Sequence, residues 1–465
     1  MIVLDSTIVN VALPSIRADL GFSQASLAWV VNAYLLTFGG FLLLGGRLGD
    51  IYGHRRLFLT GLTVFTIASL ACGLSTSKGS LIAARSIQGL GGAVVSVVVL
   101  SLIMILFSEP AERAKAMGTV GFILSGGGAA GVLLGGILTD TLSWHWIFFI
   151  NIPVGIAVFV LCLYLLPSER GPTAAKRLDI AGAVTVTAAL MLAVYAIVNG
   201  NSAGWTSGQT IGLLAGALAL LAAFLVIESR VAEPLMPLGL FRMRNLSVAN
   251  VAGILMAGAM FGWFFLSALY LQLVLGYTPL QVGLGFLAGT VVMGTASITL
   301  SDRLIMRFGV KPPLVAGLAL FVAGLALFGR APVDGTYVMD VLPGMVLLGF
   351  AAGISFNPIL FAAMGDVAPT EAGLASGIVN TSFMMGGALG LAVLASLAAS
   401  RTDSLLSSGD GQLEALNGGY HVAFMAGAAF ALAAAVLGGL LLRAGVPAAA
   451  PHGAEEPAPA GAEAR

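Results

Sequence analysis

Charged residues, cysteine and histidine are scarce in this chain of 465 residues. Only 9% of the residues are charged, too few for a soluble domain of this length, and no hydrophilic stretch could hold a soluble catalytic domain. Cys72 and Cys162 stand in separate apolar runs, which predicts buried thiols and excludes a disulfide framework. The four histidines lack metal-ligand spacing, and a formal net charge of zero gives no bias towards nucleic acid. We therefore expect no enzyme, no bound metal and no nucleic-acid partner.

Long apolar runs are abundant instead. The sequence is 58% hydrophobic, with a mean hydropathy of +1.01. Runs of about 20 residues recur from end to end, the length that a helix needs to cross the hydrocarbon core. The alternation typical of barrel strands is missing. The chain is thus predicted to be an all-α polytopic membrane protein. About fourteen spans are predicted, near residues 1–16, 26–45, 57–75, 80–107, 115–138, 146–166, 179–198, 210–227, 247–274, 280–300, 312–329, 339–362, 374–398 and 421–442.

The first apolar run is short for a span, and it contains Asp5. We expect either that the natural helix begins upstream of Met1 or that this helix is short and tilted. At the other end, the stretch from Val446 is rich in Ala, Pro, Gly and Glu, a composition typical of disorder.

The distribution of the 21 lysines and arginines predicts the orientation. With the N-terminus inside, Arg17, Lys78, Arg330 and Arg401 fall outside, and Arg85 falls within a span. The remaining 16 lie in cytoplasmic segments, as the positive-inside rule requires. We therefore expect an even number of spans with both termini cytoplasmic.

A charged, glycine-punctuated stretch, Gly46–Arg56, joins the second and third spans, and Ser301–Gly309 repeats its combination of aspartate, glycine and basic residues. Similar loops at matching places in two halves are typical of duplicated transporters. The predicted organisation is an N-terminal six-helix half (1–166), two additional helices with linkers (167–246), a C-terminal six-helix half (247–445) and a disordered cytoplasmic tail (446–465).

These two stretches are candidates for a gate that makes contacts in one conformation and breaks them in another. Glycine permits the tight turn, an aspartate at a helix end can cap or pair, and the arginines hold the stretch on the cytoplasmic side. The alternative is that the charges only orient the chain. The repetition favours the gate, whose candidate residues are Gly46, Asp50, Gly53, Arg55, Arg56, Asp302 and Arg303.

Asp5 and Arg85 are the acidic and the basic residue predicted to lie deep within spans. Charge in hydrocarbon is costly and marks an ion or proton path by default. We expect Arg85 to partner Asp5, with Gln88 one turn away on the same helix. The alternatives are that Asp5 caps a surface helix end and that Arg85 snorkels to the outer face.

Several of these segments resemble family motifs. Gly46, Leu48, Asp50, Gly53, Arg55 and Arg56 match the signature between helices two and three of the major facilitator superfamily, with Ile51 in place of a basic residue. The stretch Asp5–Pro14 looks like the first-helix motif of the fourteen-helix drug:proton antiporters of the EmrB/QacA type. The segment around Arg85 resembles the fourth-helix motif linked to proton transfer. Trp144–Gly155 is similar to a string typical of these exporters, with His145 replacing arginine.

The fifth span carries small residues at four-residue spacing, which let helices approach closely. They resemble the fifth-helix exporter motif, but Val132 stands where that motif has its kink-forming proline. The alternative is a packing seam alone. The candidate packing residues are Gly127, Gly131, Gly135 and Gly136.

The resemblance implies a major facilitator fold of two six-helix halves plus two central helices. It implies proton-coupled efflux of amphipathic drugs, antibiotics or secondary metabolites across the cytoplasmic membrane by alternating access, driven by the proton gradient without a cofactor. We expect a monomer, able to work with accessory export proteins. The alternatives are a proton-linked uptake permease and a non-transporting sensor or partner. The candidates for the substrate cavity are Asn32, Tyr34, Trp263, Phe264 and Asn357.

Overall fold

The computed structural model describes residues 1–106, 109–166, 179–232, 234–367 and 371–443; within these ranges the side chains of some helical residues, including Arg47 and Asp50, are outside the description. The described residues form helices and turns, with no strand among them. The predicted tail (446–465) and most of the linker before residue 179 lie outside the described residues. An all-helical fold, as predicted, is therefore confirmed.

Sixteen α-helices occur in the described ranges. They are α1 (Ile2–Leu20), α2 (Trp29–Tyr52), α3 (His54–Gly73), α4 (Lys78–Leu106), α5 (Pro110–Thr141), α6 (Trp146–Phe149), α7 (Asn151–Leu165), α8 (Ile180–Ala203), α9 (Gly208–Arg230), α10 (Arg244–Leu269), α11 (Pro279–Ala296), α12 (Asp302–Phe308), α13 (Lys311–Phe328), α14 (Leu342–Met364), α15 (Ala372–Ser407) and α16 (Gln412–Leu441). Short π-helical segments extend α10 and α11 at Tyr270–Val274 and Ser297–Ser301, and Tyr337–Val341 precedes α14.

Twelve helical segments of the described chain are long and apolar enough to cross a membrane. The sequence predicted fourteen, so the count differs by two, and the segments outside the group are α1 and α5. α1 contains Asp5, Arg17 and Asp19, which is a high charge for 19 residues. Some side chains of α5 are outside the description. Both nevertheless fold as long helices packed into the bundle.

The two stretches predicted as loops are helical, which corrects the sequence interpretation. α2 continues to Tyr52 and α3 begins at His54, so Gly53 alone separates them, at a φ of 88°. In the repeat, α12 covers Asp302–Phe308, and Gly309 breaks the chain before α13 at a φ of 78°. Glycine adopts this left-handed region at no steric cost, so one residue suffices for a sharp helix–helix turn. The internal repeat is therefore a repeat of backbone geometry.

Helices from the two ends of the chain pack mainly among themselves. α4 lies between α2 and α3, α1 packs on α5, and α10 and α13–α16 form a second group. The groups meet where α5 packs on α11 and where α2 packs on α15, and the Gln272 amide donates to the Val11 carbonyl oxygen at 2.8 Å. α8 pairs with α9 and contacts both α2 and α15. The domain limits themselves stay a prediction.

Two carboxylates are buried at one end of the α8–α9 pair. Asp179 and Glu228 are each 3% exposed. Asp179 caps α8 by accepting from the Gly182 backbone N–H at 2.7 Å, and Glu228 accepts from the Met236 N–H at 3.0 Å. Glu228 belongs to α9, so the expectation that Asp5 is the sole acidic residue within a span is wrong. The helix runs further along the chain than the apolar pattern indicated.

Candidate functional site around Asp5 and Arg85

α1 and α4 bring Asp5 and Arg85 into direct contact inside the helix bundle. Arg85 Nη1 lies 2.6 Å from Asp5 Oδ2, and the two residues are 1% and 0% exposed. The pair excludes both alternatives left open by the sequence, a surface cap and a snorkelling arginine. Because the charges are withdrawn from solvent, each depends on the other for neutralisation.

Neutral polar side chains complete a network around the carboxylate. Asp5 Oδ1 accepts from Gln88 Nε2 and from Asn151 Nδ2, both at 2.8 Å. The same two amides donate to Ser69 Oγ, at 3.2 and 3.0 Å, and Ser69 donates to the Phe148 carbonyl oxygen at 2.9 Å. Side chains from four helices, α1, α3, α4 and α7, thus form one hydrogen-bond network, in which α3 takes part through Ser69.

The sequence interpretation identified Asp5, Arg85 and Gln88 but missed Ser69 and Asn151. Asn151 lies in the string Trp144–Gly155, which resembled a family motif without pointing to this residue. Ser69 had no signal, because a serine in a span usually bonds only its own backbone. Spatial convergence, which the sequence does not display, identifies both.

The Arg85 guanidinium makes both hydrogen bonds and aromatic contacts. Its Nε donates to the Val30 carbonyl oxygen at 3.0 Å, and Nη1 also donates to Gln88 Oε1 at 2.7 Å. Its guanidinium lies 4.4 Å from the ring centroid of Tyr34 and 5.7 Å from that of Phe148. Cation–π contacts of this kind stabilise a desolvated guanidinium. The charge can therefore persist within the bundle.

The small residues of α5 position α1 and hence Asp5. A Cβ on Gly135 would lie 2.6 Å from the Ile8 carbonyl oxygen, and one on Gly131 would lie 2.8 Å from that of Leu4. Gly127 faces Val3 in the same row. Gly136 faces the other way, and its Cβ would lie 2.6 Å from the carbonyl oxygen of Pro279 on α11. The predicted packing residues therefore serve two interfaces, and α5 is continuous through Val132.

The candidate gate residues lie on α2, α3 and α12 or at the turn between α2 and α3, whereas Asp5 lies on α1. Arg55 Nη2 donates to the Leu163 carbonyl oxygen near the end of α7 at 2.6 Å. Gly46 is half-buried and Gly53 buried, whereas Arg56, Asp302 and Arg303 are exposed. The side chain of Asp50 is outside the described residues. The gating role stays a prediction.

The candidate substrate residues fall into two places. Asn32 and Tyr34 lie on α2, where the Tyr34 ring contacts the Arg85 guanidinium, while Trp263 and Phe264 on α10 pack with Phe286 and Phe321. Asn357 is half-buried on α14. Among the described residues, no hydrogen-bond partner reaches the buried polar atoms of Asn32, the Tyr34 hydroxyl or Trp263 Nε1. Buried polar groups are normally paired, so these atoms are available to a ligand or to water.

A cavity of about 340 Å³ occurs in the described part of the chain, at a different place from the candidate substrate residues. It is lined by Ser26, Trp29, Ile82, Tyr195, Val198 and Asn199 and so contains none of the candidate substrate residues. Among the described residues, no group of three His, Cys, Asp or Glu side chains could hold a metal ion.

Characterised proteins of similar sequence are named as exporters and resistance proteins. The chain is 41% identical over 441 residues to the "Cephamycin export protein CmcT" of Amycolatopsis lactamdurans, covering 94% of this chain and 89% of that protein. It is 38% identical over 450 residues to the "Puromycin resistance protein pur8" of Streptomyces alboniger, covering 95% and 89%. The "Multidrug resistance protein Stp" of Mycobacterium tuberculosis (strain CDC 1551 / Oshkosh) is 37% identical, covering 86% and 74%.

Solved structures share the fold at low sequence identity. An auto inhibited POT family peptide transporter superposes with a TM-score of 0.67 at 17% identity, covering 97% of this chain and 98% of that one. The human organic anion transporter MFSD10 (TETRAN) superposes with a TM-score of 0.59 at 18% identity, covering 94% and 96%. The family model of the Major Facilitator Superfamily matches residues 1–391. Because the family model covers most of the chain and relatives of similar sequence are named as exporters, the chain belongs to the Major Facilitator Superfamily. Its many membrane-spanning helices make it a multi-pass membrane transporter.

Proposed function

We propose that this transporter exports amphipathic antibiotics or related secondary metabolites in exchange for protons, by alternating access. The observation that carries the proposal is the fully buried Asp5–Arg85 ion pair within a closed network of donors. An ionisable residue inside a membrane bundle marks an ion or proton path by default. The names of the cephamycin and puromycin relatives support the substrate class.

Asp5 is the carboxylate that takes up the proton. When it is ionised, the Asp5–Arg85 site is neutral overall; when it is protonated, the charge of Arg85 is uncompensated. The two protonation states therefore favour different arrangements of α1 and α4, which is what a proton needs in order to drive a conformational equilibrium. A proton that enters from outside protonates Asp5, and the substrate loaded from inside is then displaced and released outward.

We place the substrate between the two helix groups near the unpartnered polar atoms of Asn32, Tyr34 and Trp263. These residues combine aromatic surface with a few fixed polar groups, a combination that suits amphipathic ligands. The turns at Gly53 and Gly309 act as paired gate elements. The fourteen-helix arrangement, the monomeric state, the absence of a cofactor and the cytoplasmic position of both termini belong to the same proposal.

The test is transport in liposomes under an imposed pH gradient. Purified protein is reconstituted, and the movement of puromycin, a cephamycin and a cationic dye is followed with and without a protonophore. We expect concentrative transport that the protonophore abolishes, and none in Asp5→Asn. Asp19→Asn is the matched control, because Asp19 lies on the same helix but is exposed and bonded to the Trp144 indole N–H.

Unchanged concentrative transport in Asp5→Asn would remove Asp5 as the proton site. Transport in wild-type protein that ignores the pH gradient would contradict antiport itself. In whole cells, drug accumulation in place of exclusion would favour the uptake alternative.

A further inference from the structure

The described side chains that bond the Asp5 carboxylate are all donors. Arg85 Nη1 contacts Oδ2, and the amide nitrogens of Gln88 and Asn151 contact Oδ1. This arrangement suits an ionised carboxylate, which only accepts hydrogen bonds. A protonated carboxyl group also carries an O–H donor, and a buried donor without an acceptor is costly. Proton uptake therefore requires one of the neighbours to present an acceptor.

Gln88 is not free to do so. Its Oε1 accepts from Arg85 Nη1 at 2.7 Å and from the Cys72 thiol at 3.6 Å, and its Nε2 donates to both Asp5 and Ser69. A turn of this amide would place its NH₂ group against the guanidinium. A hydrogen bond to a charged group is roughly twice as strong as a neutral one, so Arg85 holds Gln88 in one orientation.

Asn151 differs from Gln88 at its oxygen. Its Nδ2 donates to Asp5 at 2.8 Å and to Ser69 at 3.0 Å. Among the described residues, none donates to its Oδ1, although the side chain is only 1% exposed. The amide can therefore turn without losing a bond at its oxygen. Ser69 would keep its bonds to Gln88 and to the Phe148 carbonyl.

We propose that Asn151 is the positioning residue that senses the protonation state of Asp5. It donates to the ionised carboxylate, and after proton uptake its amide turns so that Oδ1 accepts the Asp5 O–H. The inference rests on the proposed function, since it concerns the same proton site. The turn breaks the Asn151–Ser69 bond between α7 and α3, so protonation at α1 is transmitted to the start of α7.

Other titratable or charged groups near the network come from three helices. They are Arg85 on α4, Cys72 on α3, and Tyr34 on α2, with the Met1 amino group at the start of α1. Arg85 stays protonated at any accessible pH. The variants Cys72→Ala and Tyr34→Phe identify any signal that these two side chains contribute.

Infrared difference spectroscopy of the purified full-length protein between low and high pH tests the turn. We expect a protonated-carboxyl band that disappears in Asp5→Asn. We also expect an amide carbonyl band that moves to lower frequency on protonation, because its oxygen gains a hydrogen bond, and that is absent in Asn151→Leu. Leucine keeps the branched shape and the number of heavy atoms without the polar groups, and Asn151→Ala, which is smaller, serves as a second variant. Asn250→Ala is the control, since Asn250 is buried but, within the described ranges, its side chain bonds only the Leu246 carbonyl.

Transport provides the second readout. In Asn151→Leu, downhill efflux continues, while the concentration ratio sustained by a pH gradient falls roughly tenfold or more, a loss of about 1.4 kcal/mol of coupling. A purely structural residue would reduce both kinds of transport together, along with thermal stability. Asn250→Ala keeps both.

The outcomes separate the two claims. A carboxyl band that depends on Asp5, without an Asn151 amide shift, overturns the turning amide and leaves the proton site intact. Coupled transport at the wild-type level in both Asn151 variants overturns it equally. If no carboxyl band titrates in the wild-type protein, the proposed function fails and this inference fails with it.

Discussion

Breaking the buried ion pair from the Asp5 side should be the most damaging single change at the site. Asp5→Asn leaves the Arg85 guanidinium 1% exposed and without a counter-charge, and arginine cannot shed its proton. In the wild-type protein Arg85 Nη1 lies 2.6 Å from Asp5 Oδ2. If the amide nitrogen of the new asparagine took the place of Oδ2, two hydrogen-bond donors would face each other. Removing one partner of a buried pair costs about 3–5 kcal/mol, and we expect this loss in the free energy of unfolding.

The opposite change should cost less. In Arg85→Gln, Asp5 keeps its donors Gln88 and Asn151, and it can be neutralised by a proton. We expect a loss in the free energy of unfolding of about 1.5–3 kcal/mol, the range for a hydrogen bond to a charged group. The double variant Asp5→Asn/Arg85→Gln has no uncompensated charge. Its loss in the free energy of unfolding should therefore be smaller, by about 1–3 kcal/mol, than the sum of the losses in the two single variants.

Equilibrium unfolding of the purified protein in detergent micelles measures all four forms of this cycle. Asp19→Asn is the control and should leave stability within about 0.5 kcal/mol of wild type, as surface substitutions do. If the losses in the double variant add to within about 0.5 kcal/mol, Asp5 and Arg85 act independently and the reasoning about a desolvated pair is refuted.

Two further changes probe the packing around the site. Gly135→Ala should lower the free energy of unfolding by about 1–3 kcal/mol through overpacking against α1, whereas Gly126→Ala, whose Cβ meets open space, should be neutral or slightly stabilising in the same unfolding assay. Equal effects would show that the α1–α5 contact is not tight. Arg55→Ala should lower the free energy of unfolding by about 1 kcal/mol, because it removes the hydrogen bond to the end of α7. Arg56 is exposed, so Arg56→Ala should change that free energy by no more than about 0.5 kcal/mol. A larger loss in Arg56→Ala than in Arg55→Ala would contradict the assigned contact.

The apolar pattern located the helices but not their ends. It placed every predicted span on a helix, because burial in a bundle and burial in lipid require the same apolar runs. It misread Gly46–Arg56 and Ser301–Gly309 as loops. Charge and glycine together are typical of loops, but the chain turns at Gly53 alone in the first stretch and at Gly309 and Val310 in the second, so the flanking charged residues remain helical.

The charged members of the site were predictable, and its neutral members were not. Asp5 and Arg85 stand out because charge within an apolar run needs a reason. Ser69 and Asn151 resemble many other polar residues in spans, and only their place in the hydrogen-bond network around Asp5 distinguishes them: Asn151 donates to Asp5, and Ser69 accepts from Asn151 and Gln88. Glu228 was missed because α9 continues beyond the apolar run, into residues that the bundle itself buries.

The sequence alone determined the class of protein, the repeated backbone turns and the two charges that must meet. These follow from local properties, namely the hydropathy of a run, the freedom of glycine and the cost of an isolated charge in hydrocarbon. The tertiary structure decided which neutral side chains complete the site and that the described side chains bonded to the Asp5 carboxylate are all donors. Hydrogen bonds act over about 3 Å, and residues 80 to 146 positions apart in the chain reach that distance only when α1, α3, α4 and α7 have packed.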